Sequence, residues 1–211
     1  MKYNGILFDL DGTLWDASRS VAESWRQTLV NRFGASQVPS LSDIQSIMGM
    51  TGSQIGHTLF SNIGEDPVLL VFEACAKDEC DYLAIHGGTI YPGVEELLRT
   101  LSGRCPLFLV SNCQEGYIEA FFRYTGFGIY FTDCECEGHT KKSKSDNICD
   151  VIERNKISAP VYIGDTEMDE SSAILAGCPF IHAAYGFGAA QHPAAVINTP
   201  LELIKVLELD K

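Results

Sequence analysis

The stretch Gly5-Ile6-Leu7-Phe8-Asp9-Leu10-Asp11-Gly12-Thr13 decides the fold of this 211-residue chain. Its apolar first half predicts a buried strand, and two carboxylates follow directly. Open parallel sheets bind their ligands at such strand ends. Asp9 and Asp11, followed by Gly12 and Thr13, therefore predict a compact acidic site suited to Mg²⁺, which prefers hard oxygen ligands. The alternative is an ordinary Asp-Gly turn in which Asp9 acts only as a cap.

Four further apolar runs resemble the first one, and helical patterns separate most of them. Short, continuously apolar strands that alternate with helices are typical of a parallel sheet covered on both faces. We therefore predict an α/β fold with a Rossmann-like, doubly wound parallel sheet. In such a sheet strands two and three lie on one side of strand one, and strand four lies on the other. The runs are residues 106–110, 129–132, 161–163 and 180–183.

Residues 16–85 differ from the rest of the chain because they show no clear strand. They predict four helices, at about 17–33, 41–49, 52–62 and 67–85. A helical block of this length between two strands far exceeds an ordinary crossover. We expect residues 1–15 and 86–211 to form the core and residues 16–85 to form an inserted helical cap domain. Elsewhere, Thr199-Pro200 predicts the start of the last helix.

Composition restricts the class of protein. The net charge is −13, with 28 acidic against 15 basic residues. A surface this acidic repels nucleic acid and anionic membranes, so we expect neither as a partner. The first apolar run is too short for a signal peptide and no run is long enough to span a membrane, so we expect a cytoplasmic protein. In that compartment the eight cysteines should be free thiols, and Cys134-Glu135-Cys136 lacks zinc-site spacing.

Polar residues follow two more of the predicted strands. Ser111-Asn112 follows the second strand, and Gly164-Asp165-Thr166-Glu167-Met168-Asp169 follows the fourth. These residues should reach the same edge of the sheet as Asp9, where Ser111 and nearby N–H groups could bind a phosphate. Each motif also has a structural alternative. Ser111 and Gln114 fit a capping box, and Thr166 with Asp169 could cap the next helix.

A group of three lysines, Lys141, Lys142 and Lys144, is unusual in so acidic a chain. One of them could neutralise a phosphate or pair with a carboxylate. The alternative for the others is a solvated helix start.

Together, and in this order, the motifs resemble those of the haloacid dehalogenase superfamily, over nearly the whole chain. The helical insert resembles the helical cap of that superfamily, and Tyr91-Pro92-Gly93-Val94 resembles the segment that leads back from the cap in phosphoglycolate phosphatase-like members. For the third motif we choose Lys144, which lies 21 residues before Asp165. The first motif is matched by Asp9-x-Asp11-Gly12-Thr13, the second by Ser111, the third by Lys144 and the fourth by Gly164-Asp165-x-x-x-Asp169.

The resemblance implies a phosphatase that acts on a small phosphorylated metabolite. Asp9 would be the nucleophile, and Asp11 would be the general acid and then the base. The resemblance also implies Mg²⁺ as the cofactor. The residues that would bind the phosphate are Gly12, Thr13, Ser111, Asn112 and Lys144, and those that would hold the metal are Asp9, the main-chain carbonyl of Asp11, Asp165 and Asp169.

Other activities on a similar core remain as alternatives. A sugar phosphomutase of the beta-phosphoglucomutase type has the same core but returns the phosphate to a sugar and does not lose it to water. A dehalogenase lacks the second aspartate of the first motif, so Asp11 argues against it. A phosphonatase needs a lysine that reaches in from the cap, and Lys77 lies deep in the fourth predicted helix. A receiver-type phospho-accepting domain lacks the long helical insertion.

The insert also bears on the substrate. Residues 16–85 contain four Lys or Arg and nine Asp or Glu. A cap so poor in positive charge is ill suited to a second phosphate or a polyanion. We therefore expect a small monophosphate as the substrate. Many phosphoglycolate phosphatases have proline after the motif lysine, and here Ser145 follows, so the match supports a phosphatase more strongly than phosphoglycolate itself.

Overall fold

A parallel six-stranded sheet lies at the centre of the protein, and a separate two-stranded ladder lies beside it. The structure is a computed structural model that describes residues 2–60 and 65–208. The strands are β1 (Gly5–Phe8), β2 (Trp15–Asp16), β3 (Thr89–Ile90), β4 (Leu107–Ser111), β5 (Phe131–Cys136), β6 (Pro160–Gly164), β7 (Phe180–Ala183) and β8 (Ala195–Ile197).

Helices fill most of the connections between the strands, and a 3₁₀ turn at Phe127–Tyr130 leads into β5. The α-helices are α1 (Ser18–Phe33), α2 (Leu41–Ile47), α3 (Gly52–Phe60), α4 (Glu65–His86), α5 (Val94–Ser102), α6 (Tyr117–Thr125), α7 (Glu137–Thr140), α8 (Lys144–Arg154), α9 (Glu167–Leu175) and α10 (Glu202–Glu208).

The strand order in the large sheet is β5-β4-β1-β6-β7-β8. β1 lies between β4 and β6, and both pairings are parallel. The chain first winds toward β5 and then returns to the other side of β1, so the switch point lies at β1. This order confirms the doubly wound parallel fold predicted from the sequence, and it brings the ends of β1, β4 and β6 to one edge.

The alternation of side chains along β1 separates two hydrophobic cores. Ile6 and Phe8 face a large cluster with α5, α6 and α10, whereas Leu7 faces a smaller cluster with α8 and α9. On α5 the buried residues recur with helical spacing, as predicted: Val94, Leu97, Leu98 and Leu101. Apolar burial on both faces explains why the central strands are almost continuously apolar, apart from Ser111 at the end of β4.

The helical insert, residues 16–85, contains α1 to α4 and is connected to the sheet through β2 and β3. These two short strands pair antiparallel, with Trp15 opposite Ile90. Within the insert α1 packs against α4, and α4 also packs against α6 of the core. The helices lie where the sequence predicts them, within a few residues, and residues 61–62 of the third predicted helix lie outside the described residues. The division into two domains stays a prediction.

The third predicted strand is shifted in the structure. Residues 129–130 belong to the 3₁₀ turn, where Ile129 is 83% exposed, and β5 extends instead to Cys136. β5 is an edge strand, and its charged residues Asp133 and Glu135 are both paired with Arg154. Because charged residues lie on this half-exposed edge strand, the strand does not form a continuous apolar run in the sequence.

The last helix begins later than Thr199-Pro200 predicts. Residues 199–201 form a turn, and the helix begins at Glu202, whose side chain accepts a hydrogen bond from the backbone of Asn198 at 2.8 Å. All eight cysteines are free thiols, as expected. Among the described residues, none of the helices combines the length and apolar character that crossing a membrane requires.

Candidate active site

A buried lysine joins two carboxylates at the end of β1. Lys144 Nζ lies 2.7 Å from Asp9 Oδ1 and 2.6 Å from Asp169 Oδ1, and all three residues are less than 5% exposed. Asp9 follows β1, Lys144 is the first residue of α8, and Asp169 lies in the first turn of α9. Three elements far apart in sequence therefore meet at the switch point.

Asp165 completes the acidic cluster. It follows β6, and one oxygen from each of Asp9, Asp165 and Asp169 lies within 4.8 Å of the others. Asp165 Oδ2 accepts a hydrogen bond from the backbone of Phe187 at 2.7 Å, whereas its buried Oδ1 has no hydrogen-bond partner. Gly12 adopts a φ of 80°, and a Cβ at this position would lie only 2.1 Å from Asp165 Oδ2. The turn after β1 thus needs glycine to let the backbone approach Asp165.

The cluster contains three carboxyl groups and one ammonium group. Burial, together with Asp169, raises the pKa of Asp9 to about 6, although Lys144 opposes the shift. Burial, with Asp169 and Asp9, raises the pKa of Asp165 to about 8. Burial lowers the pKa of Lys144, but Asp169 and Asp9 outweigh it and hold that pKa well above its usual value. The lysine therefore remains charged, and the site lacks enough positive charge for its three carboxylates.

This imbalance fits a bound divalent cation. The donors are hard carboxylate oxygens, which Mg²⁺ prefers, and the buried Asp165 Oδ1 has no hydrogen-bond partner. Burying a polar oxygen without a partner is costly, so native proteins rarely leave one in that state. Within the described ranges 2–60 and 65–208, this is the one cluster of three or more His, Cys, Asp or Glu side chains with metal-binding spacing.

Asp11 points toward the helical insert and not into the acidic cluster. It is 7% exposed, and the phenol of Tyr117 donates a hydrogen bond to its Oδ1 at 2.9 Å. Burial, together with the charge of Asp9, raises the pKa of Asp11 well above its usual value. The surroundings of Asp11 therefore favour the protonated form of its carboxyl group, which suits a general acid.

The remaining predicted phosphate-binding residues line the same edge. Ser111 ends β4 and is 5% exposed. Asn112 donates from Nδ2 to the carbonyl of Gly49 in the helical insert at 2.9 Å, while its Oδ1 has no partner. Thr13 is fully buried, and its hydroxyl is also unpartnered. Asp11, Ser111 and Asn112 line one cavity at this edge.

The three lysines differ in their burial. Lys144 is buried in the cluster, whereas Lys141 and Lys142 are exposed. Lys141 Nζ donates to the carbonyl of Gly138 at 2.6 Å, and Lys142 pairs with Asp150 at 2.6 Å. The choice of Lys144 among the three agrees with this geometry.

The two capping alternatives have different outcomes. Thr166 and Asp169 do form a capping box at the start of α9, and Asp169 uses its Oδ2 for the cap and its Oδ1 for Lys144. The capping box of Ser111 and Gln114 is wrong, because α6 begins only at Tyr117, after a glycine N-cap without a side-chain hydrogen bond. The side chain of Gln114 turns instead toward the insert.

A small cavity separates the insert from the sheet edge, with a volume of about 50 Å³. Sequence reasoning missed the groups that reach it from the insert. Glu79 on α4 is 4% exposed and accepts hydrogen bonds from the indole of Trp25 and, at 2.9 Å, from Gln114. A signal was present, because Glu79 lies four residues from both Cys75 and Leu83 on the buried face of α4. Residues on the walls are Asp11, Ser111, Asn112, Trp25, Phe72 and Glu79.

Comparisons with known proteins agree with the fold and the motifs. A phosphoglycolate phosphatase from Rhodobacter capsulatus is 29% identical over 86% of this chain and 84% of that protein. An N-acetylmuramic acid 6-phosphate phosphatase from Pseudomonas putida is 25% identical over 99% and 97%. The structure of a haloacid dehalogenase-like family hydrolase from Streptococcus pneumoniae superposes with a TM-score of 0.83 at 20% identity, covering 98% of this chain and 99% of that one. A family sequence model matches residues 6–183, and the chain therefore belongs to the haloacid dehalogenase-like hydrolase family.

Proposed function

We propose that this phosphoric monoester hydrolase is a Mg²⁺-dependent phosphatase that cleaves a small monoester through a phosphoaspartate at Asp9. The observation that carries the proposal is the cluster of Asp9, Asp165, Asp169 and Lys144 at the switch point of the sheet, with Asp11 beside it. A bound Mg²⁺ would be held by the three carboxylates and the main-chain carbonyl of Asp11, and would neutralise the charge of the phosphate.

Asp9 is the group placed to attack phosphorus. Lys144 binds its Oδ1, so we assign the new O–P bond to the second carboxylate oxygen. As that bond forms, the bond between phosphorus and the alcohol oxygen breaks. The ammonium group of Lys144 and the hydroxyls of Ser111 and Thr13 would bind the phosphoryl oxygens, where charge develops.

Asp11 is the group placed to move the proton. Its raised pKa favours the protonated form, which would protonate the departing alcohol. The resulting carboxylate then takes a proton from the water that attacks the phosphoaspartate, which releases inorganic phosphate and restores Asp9. Tyr117 fixes one oxygen of Asp11, so the other oxygen carries the proton.

Two isosteric variants test this assignment. Asp9→Asn removes the nucleophile and should abolish both turnover and acid-stable phosphoenzyme. Asp11→Asn keeps the nucleophile, so we expect turnover to fall by ~10²–10⁴-fold while phosphoenzyme still forms from p-nitrophenyl phosphate, whose leaving group needs no proton. Equal phosphoenzyme from the wild type and Asp9→Asn would refute the covalent mechanism. Transfer of phosphate to a sugar instead of release to water would identify the phosphomutase alternative.

A further inference from the structure

One carboxylate in the cavity wall has no part in the proposed mechanism. Glu79 lies on the inner face of α4, and the cavity that it lines is bounded on the sheet side by Asp11 and Ser111. A phosphate bound at the sheet edge would direct its leaving group into this cavity, because Asp11 must reach the leaving oxygen. Glu79 therefore lies where the leaving group would be recognised.

Glu79 is held firmly by two uncharged donors. Trp25 donates its indole N–H to Oε2, and Gln114 donates its amide N–H to Oε1 at 2.9 Å. A carboxylate offers about four acceptor positions, so each oxygen can accept a further hydrogen bond. The fixed carboxylate is thus an acceptor that can bind a hydroxyl group of a substrate.

The cavity is small, and its insert side is partly aromatic. The rings of Trp25 and Phe72 meet edge to face, with centroids 6.1 Å apart and planes at 78°. A cavity of about 50 Å³ is small. An alcohol with only a few heavy atoms suits a cavity of this size.

We propose that Glu79, held by Trp25 and Gln114, selects phosphate esters of short, uncharged alcohols with a free hydroxyl group. The same carboxylate disfavours esters whose leaving group carries a carboxylate, phosphoglycolate included. This inference rests on the proposed function, since it names the substrate class of the same site.

The discrimination should be strongest in mild alkali. Burial raises the pKa of Glu79 to about 7, against the opposing effect of its two hydrogen bonds, so the group is mostly ionised at pH 8. Two like charges that meet in a desolvated cavity disfavour binding by ~10–100-fold at an intermediate effective dielectric constant. A hydroxyl group in the same position gains a hydrogen bond to a charged acceptor instead.

Two esters of equal length test the proposal. 2-Hydroxyethyl phosphate and 2-phosphoglycolate differ only in that a CH₂OH group replaces the carboxylate. We expect the wild type at pH 8 with Mg²⁺ to favour the hydroxyl ester by at least ~10-fold in kcat/KM. Glu79→Gln should reduce that ratio by ~10-fold or more. Glu73→Gln, on the exposed side of the same helix, removes the same charge and should leave the ratio unchanged.

The ratio of two kcat/KM values in one preparation does not depend on the fraction of folded enzyme. The wild-type ratio tests the inference even if the Glu79→Gln variant does not fold. A wild type that prefers 2-phosphoglycolate, or a Glu79→Gln ratio within twofold of the wild type, would overturn the inference. Hydrolysis of p-nitrophenyl phosphate but of neither test ester would also overturn it. Release of phosphate from none of the three esters would instead refute the proposed phosphatase, and this inference with it.

Discussion

Replacing Lys144 by methionine tests the charge balance of the site through stability. The substitution keeps the length of the side chain but removes the one ammonium group that lies among Asp9 and Asp169. The side chains of all three residues are 3% exposed or less, so water screens little of the loss. Removing one partner of a buried ion pair costs ~3–5 kcal/mol, because the remaining charge is left unpaired.

Urea unfolding in EDTA at pH 8 measures this cost. A loss of ~3–5 kcal/mol corresponds to a fall in Tm of ~6–20 °C for a chain of this size. Lys142→Met is the matched control. The side chains of Lys142 and Asp150 are 52% and 35% exposed, so their ion pair should contribute no more than ~1 kcal/mol to the free energy of unfolding. Lowering the pH to 5 should reduce the cost for Lys144→Met, because Asp9 and Asp165, with pKa values of about 6 and 8, then take up protons.

Mg²⁺ should reverse part of the defect. A ligand that binds only the folded state stabilises it by ~2.7 kcal/mol at 100 times its Kd. Without the competing ammonium of Lys144, the three carboxylates should bind the cation more tightly, so Mg²⁺ should stabilise the variant more than the wild type. Equal stability of Lys144→Met and the wild type in EDTA, or a smaller gain from Mg²⁺ in the variant, would refute this account of the cluster.

Three further predictions concern the residues around the cluster. Gly12→Ala should lower the free energy of unfolding by ~1–2 kcal/mol from its backbone conformation alone, and it should also weaken Mg²⁺ binding by displacing Asp165. Gly34→Ala is the control, because Gly34 has a φ of 62° with open space around it. In urea unfolding this control should show only the loss from the backbone conformation. Mg²⁺ affinity measured by calorimetry should fall ~10-fold per pH unit below about 8, because the cation binds only ionised Asp165; an unchanged affinity between pH 8 and 6 would contradict this. Tyr117→Phe removes a hydrogen bond that lowers the pKa of Asp11, so the alkaline limb of the kcat/KM profile should shift to higher pH; a shift to lower pH would contradict it.

The edge that carries the candidate site can be predicted from the sequence because it follows from topology. Asp9 and Asp165 each follow a buried strand, and the carboxyl ends of neighbouring parallel strands must lie together. Lys144 was identified by its distance from Asp165 along the chain and by its place at a helix start. The placement of Asp9 and Asp165 uses only local patterns and the handedness of the crossovers, whereas the choice of Lys144 also depends on the resemblance to the superfamily's third motif.

The wall of the cavity could not be inferred in the same way. Gln114 and Glu79 are 35 residues apart, and their hydrogen bond joins the loop after β4 to a helix of the insert. No periodicity within either segment encodes such a partner, and the local pattern at Gln114 favoured a helix cap instead. β5 was misplaced for a related reason, because Asp133 is compensated by Arg154, 21 residues later.

The ladder of β2 and β3 determines how the insert can move. Both chain crossings run side by side there, and Trp15 is anchored by the rings of Tyr117 and Phe121, with centroids 5.9 and 4.9 Å away. We expect a body attached by two adjacent, paired strands to swing about one axis and not to slide along the sheet edge. Swinging open would break the hydrogen bonds that join the insert to the core, from Asn112 to the carbonyl of Gly49 and from Gln114 to Glu79. Substrate entry would then be gated by these bonds, with a hinge at Trp15.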